Sequence, residues 1–141
     1  MNVFVDSSAL AKRYVDEPGS DRVDAILETA TALGVSVLCI SEIVSALCRR
    51  RREGPLSRAQ YARAKSALVQ DIADASVIAL TEAVVGRAVR LLERWPLRSS
   101  DALHIAAAAE WACDLFVSAD RRQTTAARAY GLSAELVPAR E

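Results

Sequence analysis

The chain has 141 residues, 52% of them hydrophobic and 5% aromatic, with eighteen basic side chains balancing eighteen acidic ones. One domain's length with that apolar content excludes a disordered chain, and no apolar run approaches the roughly 20 residues of a membrane span. A net charge of zero excludes a protein-wide field that attracts nucleic acid, so local patches must hold any such partner.

Val3-Phe4-Val5 is a brief run of β-formers without alternation, which suits a strand buried on both faces of a parallel sheet. Asp6 stands where the run stops, and ligands of open parallel sheets bind outside the carboxyl ends of the strands. Ser7 to about Val15 is expected to be a helix capped by Asp6 or Ser7, broken by Glu17-Pro18-Gly19-Ser20. A second helix is expected from Asp21 to about Thr31, ended by Gly34, with Val35–Ile40 as the second strand. Ser41 is placed to cap a helix from Glu42 to about Arg52, stopped by Gly54-Pro55, and Ser57 to start a long helix to about Ala73. Val77–Leu80 reads as a third strand, and Thr81 as the cap of a helix closed by Trp95-Pro96. Ser99-Ser100 is expected to cap an alanine-rich helix from Asp101 to about Cys113. Leu115-Phe116-Val117 then forms a strand ending at Ser118-Ala119-Asp120, a helix runs from about Arg121 to Tyr130, Gly131 ends it, and Leu136-Val137 adds an edge strand. Strands alternating with helices predict one α/β domain over residues 1–141 with a parallel sheet.

Asp6 and Asp120 follow strands, while Glu42 and Asp101 are expected to begin helices. Each alone is explained by capping, because a carboxylate satisfies free N–H groups at a helix start. As a set they gather at one edge of the sheet, where four like charges repel unless cations compensate them. Oxygen ligation without Cys or His suits Mg²⁺ or Mn²⁺, ions that activate water and stabilise phosphoryl transition states. The acids therefore point to metal-dependent phosphodiester chemistry.

Val5-Asp6-Ser7-Ser8-Ala9-Leu10, Ser41-Glu42-Ile43, Ser100-Asp101-Ala102-Leu103-His104 and Phe116-Val117-Ser118-Ala119-Asp120 resemble, in order, the four motifs of PIN domains. Lys12-Arg13-Tyr14 with Glu17-Pro18-Gly19-Ser20 resembles the N-terminal signature of VapC toxins from bacterial toxin–antitoxin pairs. The resemblance covers nearly the whole chain. It implies a three-layer α/β/α sandwich around a mainly parallel sheet of four to five strands. It also implies a Mg²⁺-dependent (Mn²⁺ possible) endoribonuclease with Asp6, Glu42, Asp101 and Asp120 as its acidic site. Asp6, Asp101 and Asp120 would hold the metal, and the products would carry 5′-phosphate and 3′-hydroxyl ends. Ser8 and Ser118 match positions where the family often has Ser or Thr beside the site; Thr is more usual at the latter, and Ser118 keeps the hydroxyl. The partners implied are RNA, a VapB-type antitoxin and a second copy of the chain, with no membrane.

His104, the only histidine, excludes a two-histidine acid–base ribonuclease and is read as structural. Arg49-Arg50-Arg51-Arg52 is either a solvated helix end or an RNA phosphate grip in which Arg49 and Arg50 take part, and Lys12 and Arg13 are weighed the same way. The aromatics do not alternate with bases, so packing is expected of them rather than base stacking. Cys39, Cys48 and Cys113 form no close pair, which argues against a zinc ribbon or a disulfide framework. An N-terminus without a basic segment before an apolar stretch is not expected to be a secretory signal, and the cytoplasm is the expected location. A phosphatase of the haloacid dehalogenase type also has Asp after its first strand, but wants a second acid where Ser8 stands and a lysine that neither Lys12 nor Lys65 provides. A catalytically silent PIN-like scaffold is the other alternative, and the presence of all four acids argues against it.

Overall fold

The β-formers that open the chain pair on both sides. In the computed structural model, which describes residues 1–139 and so leaves the last two residues of the expected domain outside, β1 (Asn2–Val5) lies at the centre of a five-stranded sheet. Its neighbours are β2 (Ala32–Ser36) and β4 (Leu115–Ser118), with β3 (Ser76–Ile78) and β5 (Ala134–Leu136) outermost, in the order β3-β2-β1-β4-β5. Every pairing is parallel. Each crossover therefore needs a connecting segment over the sheet, usually helical, and the carboxyl ends of the strands share one edge.

The helices are α1 (Ser7–Leu10, prolonged by a tight 3₁₀ turn over Ala11–Arg13), α2 (Ser20–Thr29), α3 (Leu38–Glu53), α4 (Arg58–Asp74), α5 (Glu82–Arg94), α6 (Ser99–Trp111) and α7 (Arg121–Tyr130). Side chains alternate across β1 and β4, and two apolar cores result. Val3, Val5 and Val117 join Val35 of β2 with Leu10, Ile26, Ile43, Leu47 and Leu68 of the helices on one face. Phe4 and Phe116 pack on the other face with Leu91, Ile105 and the alanines of α6 and α7. This is the expected α/β/α sandwich.

Several expected boundaries move. The second strand occupies 32–36 rather than 35–40, and Gly34 lies inside it instead of ending a helix. A Cβ on Gly34 would fall 2.5 Å from Cζ3 of Trp111, so the residue must be glycine for the α6 indole to pack on the strand. With β2 ending early, α3 starts at Leu38, whose N–H is taken by the Ser36 hydroxyl at 3.1 Å. Ser41 is thus inside the helix, bonding back to the Leu38 carbonyl at 3.2 Å, and Glu42 lies in its second turn. A short apolar run does not separate strand from helix by its own pattern. Helix α6 starts at Ser99, and the Asp101 carboxylate rather than a serine hydroxyl accepts the Arg98 N–H, at 3.2 Å. The third strand is Ser76–Ile78 and the edge strand Ala134–Leu136, both set by pairing with β2 and β4. The caps at Asp6, Ser57, Thr81 and Gly131 stand where expected. All three cysteines are free; Cys39 is buried, and burial pushes its thiol up to about 12, which keeps it unreactive.

Candidate active site

At the carboxyl edge of the sheet, β1 delivers Asp6 into a fully buried position. Its Oδ1 caps α1 by accepting the Ala9 N–H at 3.0 Å and accepts the Ser8 hydroxyl at 2.7 Å, while Oδ2 accepts the Ser118 hydroxyl at 2.6 Å. Ser118 ends β4, the neighbouring strand, and its Oγ also accepts the Asp120 N–H at 2.9 Å. The Ser8 Oγ accepts the Ala119 N–H at 3.0 Å. The two serines thus lace the two central strand ends together and aim the Asp6 carboxylate. Burial pushes the Asp6 carboxyl above its usual value, against the opposing influence of His104 and the hydrogen bonds from Ser118, Ala9 and Ser8.

The other acids come from helices. Glu42 on α3 accepts the Ser7 hydroxyl at 2.9 Å, and His104 Nε2 lies 2.6 Å from the same oxygen. Burial works against the charged Glu42, but these bonds outweigh it and hold its carboxyl below the usual value. Asp101, in the first turn of α6, accepts Gln123 Nε2 at 3.0 Å and the Arg98 guanidinium at 3.1 and 3.4 Å. Asp120 caps α7 through the Arg122 N–H at 2.8 Å and faces Arg98 at 3.7 Å. Arg98 is 76% exposed, so it spans both carboxylates from the mouth of the site rather than from within the core.

Asp6, Glu42, Asp101 and Asp120 all line one cavity of about 210 Å³. Ser8 lines it too, and Ser118 lies buried behind Asp6. Four further polar residues on the same walls were not among those expected: Ser7, Arg98, His104 and Gln123. Arg98 and His104 flank Asp101 at three-residue spacing, and Gln123 follows Asp120 by three, so each shares a helix face with an acid. That spacing is the signal that could have found Arg98 and Gln123; for His104 the sequence offers the same spacing and it is read there as structural, while Ser7 directly follows Asp6.

Three of the four residues expected to grip RNA have other partners. Lys12 is buried, with its ammonium 3.3 Å from Glu17 and 2.7 Å from the Pro18 carbonyl, and Arg50 closes onto the same Glu17. Arg13 pairs with Asp71 at 2.8 Å and Asp24 at 3.2 Å. Arg49 is exposed on α3 and does not line the acidic cavity. These charges tie α1, α2, α3 and α4 together, since a buried lysine is tolerated only when paired.

The donor set suits a hard divalent cation. It is made of oxygens only, Asp6 touches hydroxyls and an N–H but no cationic group, and the buried Gln123 Oε1 has no partner among the described residues. No three acidic, His or Cys side chains among the described residues are gathered closely enough to hold an ion by themselves. The fit is therefore to an ion that keeps several waters and takes one or two carboxylates, as Mg²⁺ commonly does.

Removing the Ser118 hydroxyl leaves Asp6 Oδ2 without its 2.6 Å donor. Ser118→Ala is expected to weaken Mn²⁺ binding, read by calorimetry, by about 10- to 100-fold, the usual effect of losing a group that orients a metal ligand. An unchanged affinity would deny Ser118 that role.

The PIN domain family model matches residues 3–129. Ribonuclease VapC47 of Mycobacterium tuberculosis (strain CDC 1551 / Oshkosh) is 30% identical over 135 residues, 92% of each chain. Among solved structures, Mycobacterium tuberculosis VapC20, named as a sarcin–ricin loop cleaving toxin, superposes with a TM-score of 0.71 at 17% identity, over 96% of this chain and 99% of its own. A toxin–antitoxin complex from Klebsiella pneumoniae gives 0.66 at 12% identity, over 86% of this chain and 88% of the other. At such identities the structural likeness is one of fold.

Proposed function

The chain belongs to the PIN domain family, and we propose that it is a VapC-type endoribonuclease toxin, dependent on Mg²⁺ or Mn²⁺ and restrained by a VapB-type antitoxin. The observation that carries this reading is the convergence of Asp6, Glu42, Asp101 and Asp120 on one cavity at the carboxyl edge of a parallel sheet. The name of VapC47 supplies the reaction class, and the Klebsiella complex the expectation of an antitoxin. No helix of the described residues is long and apolar enough to cross a membrane.

Asp6, Asp101 and Asp120 would hold the ion, one or two of them directly and the rest through its waters, and Ser8 and Ser118 keep the Asp6 carboxylate aimed into the cavity. When bound, the metal lowers the pKa of a water and neutralises charge on the phosphoryl group. Glu42, ionised and oriented by Ser7 and His104, accepts a hydrogen bond from the attacking water and fixes its direction. Arg98 offsets the charge of Asp101 and Asp120 from the mouth of the site. Phosphodiester hydrolysis adds water across the P–O3′ bond, leaving 5′-phosphate and 3′-hydroxyl ends.

The test is cleavage of a mixed structured RNA pool by antitoxin-free protein with Mg²⁺ or Mn²⁺ and with EDTA. Cutting is expected only with metal, to return when metal is restored after EDTA, and to yield 5′-phosphate ends. Cutting that persists in EDTA would overturn the mechanism.

A further inference from the structure

With Lys12, Arg13 and Arg50 spent on internal carboxylates, a chain of zero net charge needs other cations to hold RNA. Arg121 and Arg122, the first residues of α7, directly follow Asp120 and are exposed. Among the described residues neither side chain enters an ion pair. Both line a second cavity, of about 410 Å³, whose other walls include Trp95, Pro96 and Ala126. Its lining is mainly apolar, and Asp120 is common to it and to the acidic cavity. Trp95 is half-buried, with the Arg94 guanidinium 5.0 Å from its ring centroid.

An aromatic ring in an apolar recess, rimmed by unpaired arginines and opening beside a phosphodiester-cleaving site, matches the chemistry of a nucleotide. Base–aromatic stacking uses the ring, and arginines serve the phosphate. The volume lies near the lower end of the ~300–1,000 Å³ usual for small-ligand sites. We propose that this cavity is the subsite for the nucleobase flanking the scissile phosphate, with Trp95 stacking on the base and Arg121 and Arg122 holding the adjoining phosphate. The proposal rests on the nuclease reading and adds where the substrate strand runs: from the acidic cavity across Asp120 toward the start of α7. Arg94, over the Trp95 ring, holds the indole in place. The charge complementarity of the rim and the shared Asp120 favour RNA over a protein segment as occupant.

The test separates binding from cleavage. An Asp101→Asn protein is titrated into a fluorescein-labelled, random-sequence single-stranded RNA dodecamer, followed by anisotropy, alone and with Trp95→Ala or Trp95→Phe added. Trp95→Ala is expected to weaken binding about tenfold, within the range for one lost base stack, and Trp95→Phe to retain most of it. Arg121→Ala and Arg122→Ala are each expected to lower the salt dependence, reducing the slope of log affinity against log salt by about 0.7. Trp95→Phe, which keeps an apolar ring in the recess, guards against a mere folding defect, as does a melting curve for each variant. Equal affinities for Trp95→Ala and its parent would overturn the subsite alone. No RNA binding by the parent would overturn the nuclease reading with it. Unchanged RNA affinity together with loss of antitoxin binding in Trp95→Ala would assign the face to a protein contact and overturn the proposal.

Discussion

Asp101→Asn is expected to abolish metal-dependent RNA cleavage, lowering the rate by about three orders of magnitude, while the melting temperature changes little. The activity term follows from charge. Asp101 faces the acidic cavity from the first turn of α6, and the amide that replaces it is a neutral, poor ligand for a hard divalent ion. Losing several kcal/mol of metal-derived transition-state stabilisation, at 1.36 kcal/mol per tenfold, gives roughly that factor. The stability term follows from geometry. Asn has the shape of Asp, and its single oxygen still accepts from one of the present donors, Gln123 at 3.0 Å or the Arg98 backbone N–H at 3.2 Å. The other donor is left facing an amide, but removing one carboxylate also relieves repulsion among the four that share the cavity. The measurement is cleavage of the RNA pool beside a thermal melt and a Mn²⁺ titration. A variant that loses cleavage and also melts far lower would show Asp101 to be structural first. One that cuts as the parent does would remove Asp101 from the site.

Phe116→Ala is expected to cost about 3–5 kcal/mol of folding stability, the usual price of emptying a buried aromatic position. Phe116 is fully buried and stacks on Phe4, with ring centroids 6.0 Å apart and planes 14° from parallel. The two residues are direct partners in the β1–β4 pairing. The lost stack joins the two strands whose ends carry Asp6 and Ser118, so the same substitution loosens the site. Against a total stability of about 5–15 kcal/mol for ordinary domains, the loss is a large fraction. Urea denaturation at constant slope measures it, and Phe116→Leu, which refills part of the cavity, should lose much less. A cost under about 1 kcal/mol for Phe116→Ala would mean that α5, α6 and α7 collapse into the vacancy, contrary to the partial relaxation usual in cores.

The acidic site is also where local explanations of each residue meet a collective one. Asp6 and Asp120 do cap α1 and α7, as carboxylates at helix starts ordinarily do. Capping nevertheless leaves open why Asp6 is wholly buried with its carboxyl pushed upward, or why Glu42 and Asp101 turn toward the same space. A capping serine would stabilise those helix starts without charge, so capping by itself does not account for four carboxylates facing one cavity.

Short-range physics settles much of this protein from its sequence alone. The run Val3-Phe4-Val5, the caps at Asp6, Ser57, Thr81 and Gly131 and the helical spacing of apolar residues depend on neighbours within a few positions. They suffice for an α/β fold, and with it for acids near one sheet edge, because parallel strands must all end on the same side. What spans long distances along the chain had to await folding. Gly34 reads as a helix terminator until the Trp111 ring, from a helix far along the chain, claims the space of its missing side chain. Val35–Ile40 reads as one strand until pairing with β1 and β3 confines it to the residues that find partners. Arg13 and Arg50 read as free cations until Asp71 and Glu17, 58 and 33 positions away, arrive beside them. The three-residue spacing of Arg98, His104 and Gln123 from Asp101 and Asp120 marks a shared face, but packing is what turns that face toward the cavity. A charge's role is often decided by an opposite charge that folding brings from far along the chain, as with Arg13 and Asp71, and no local pattern encodes that pairing.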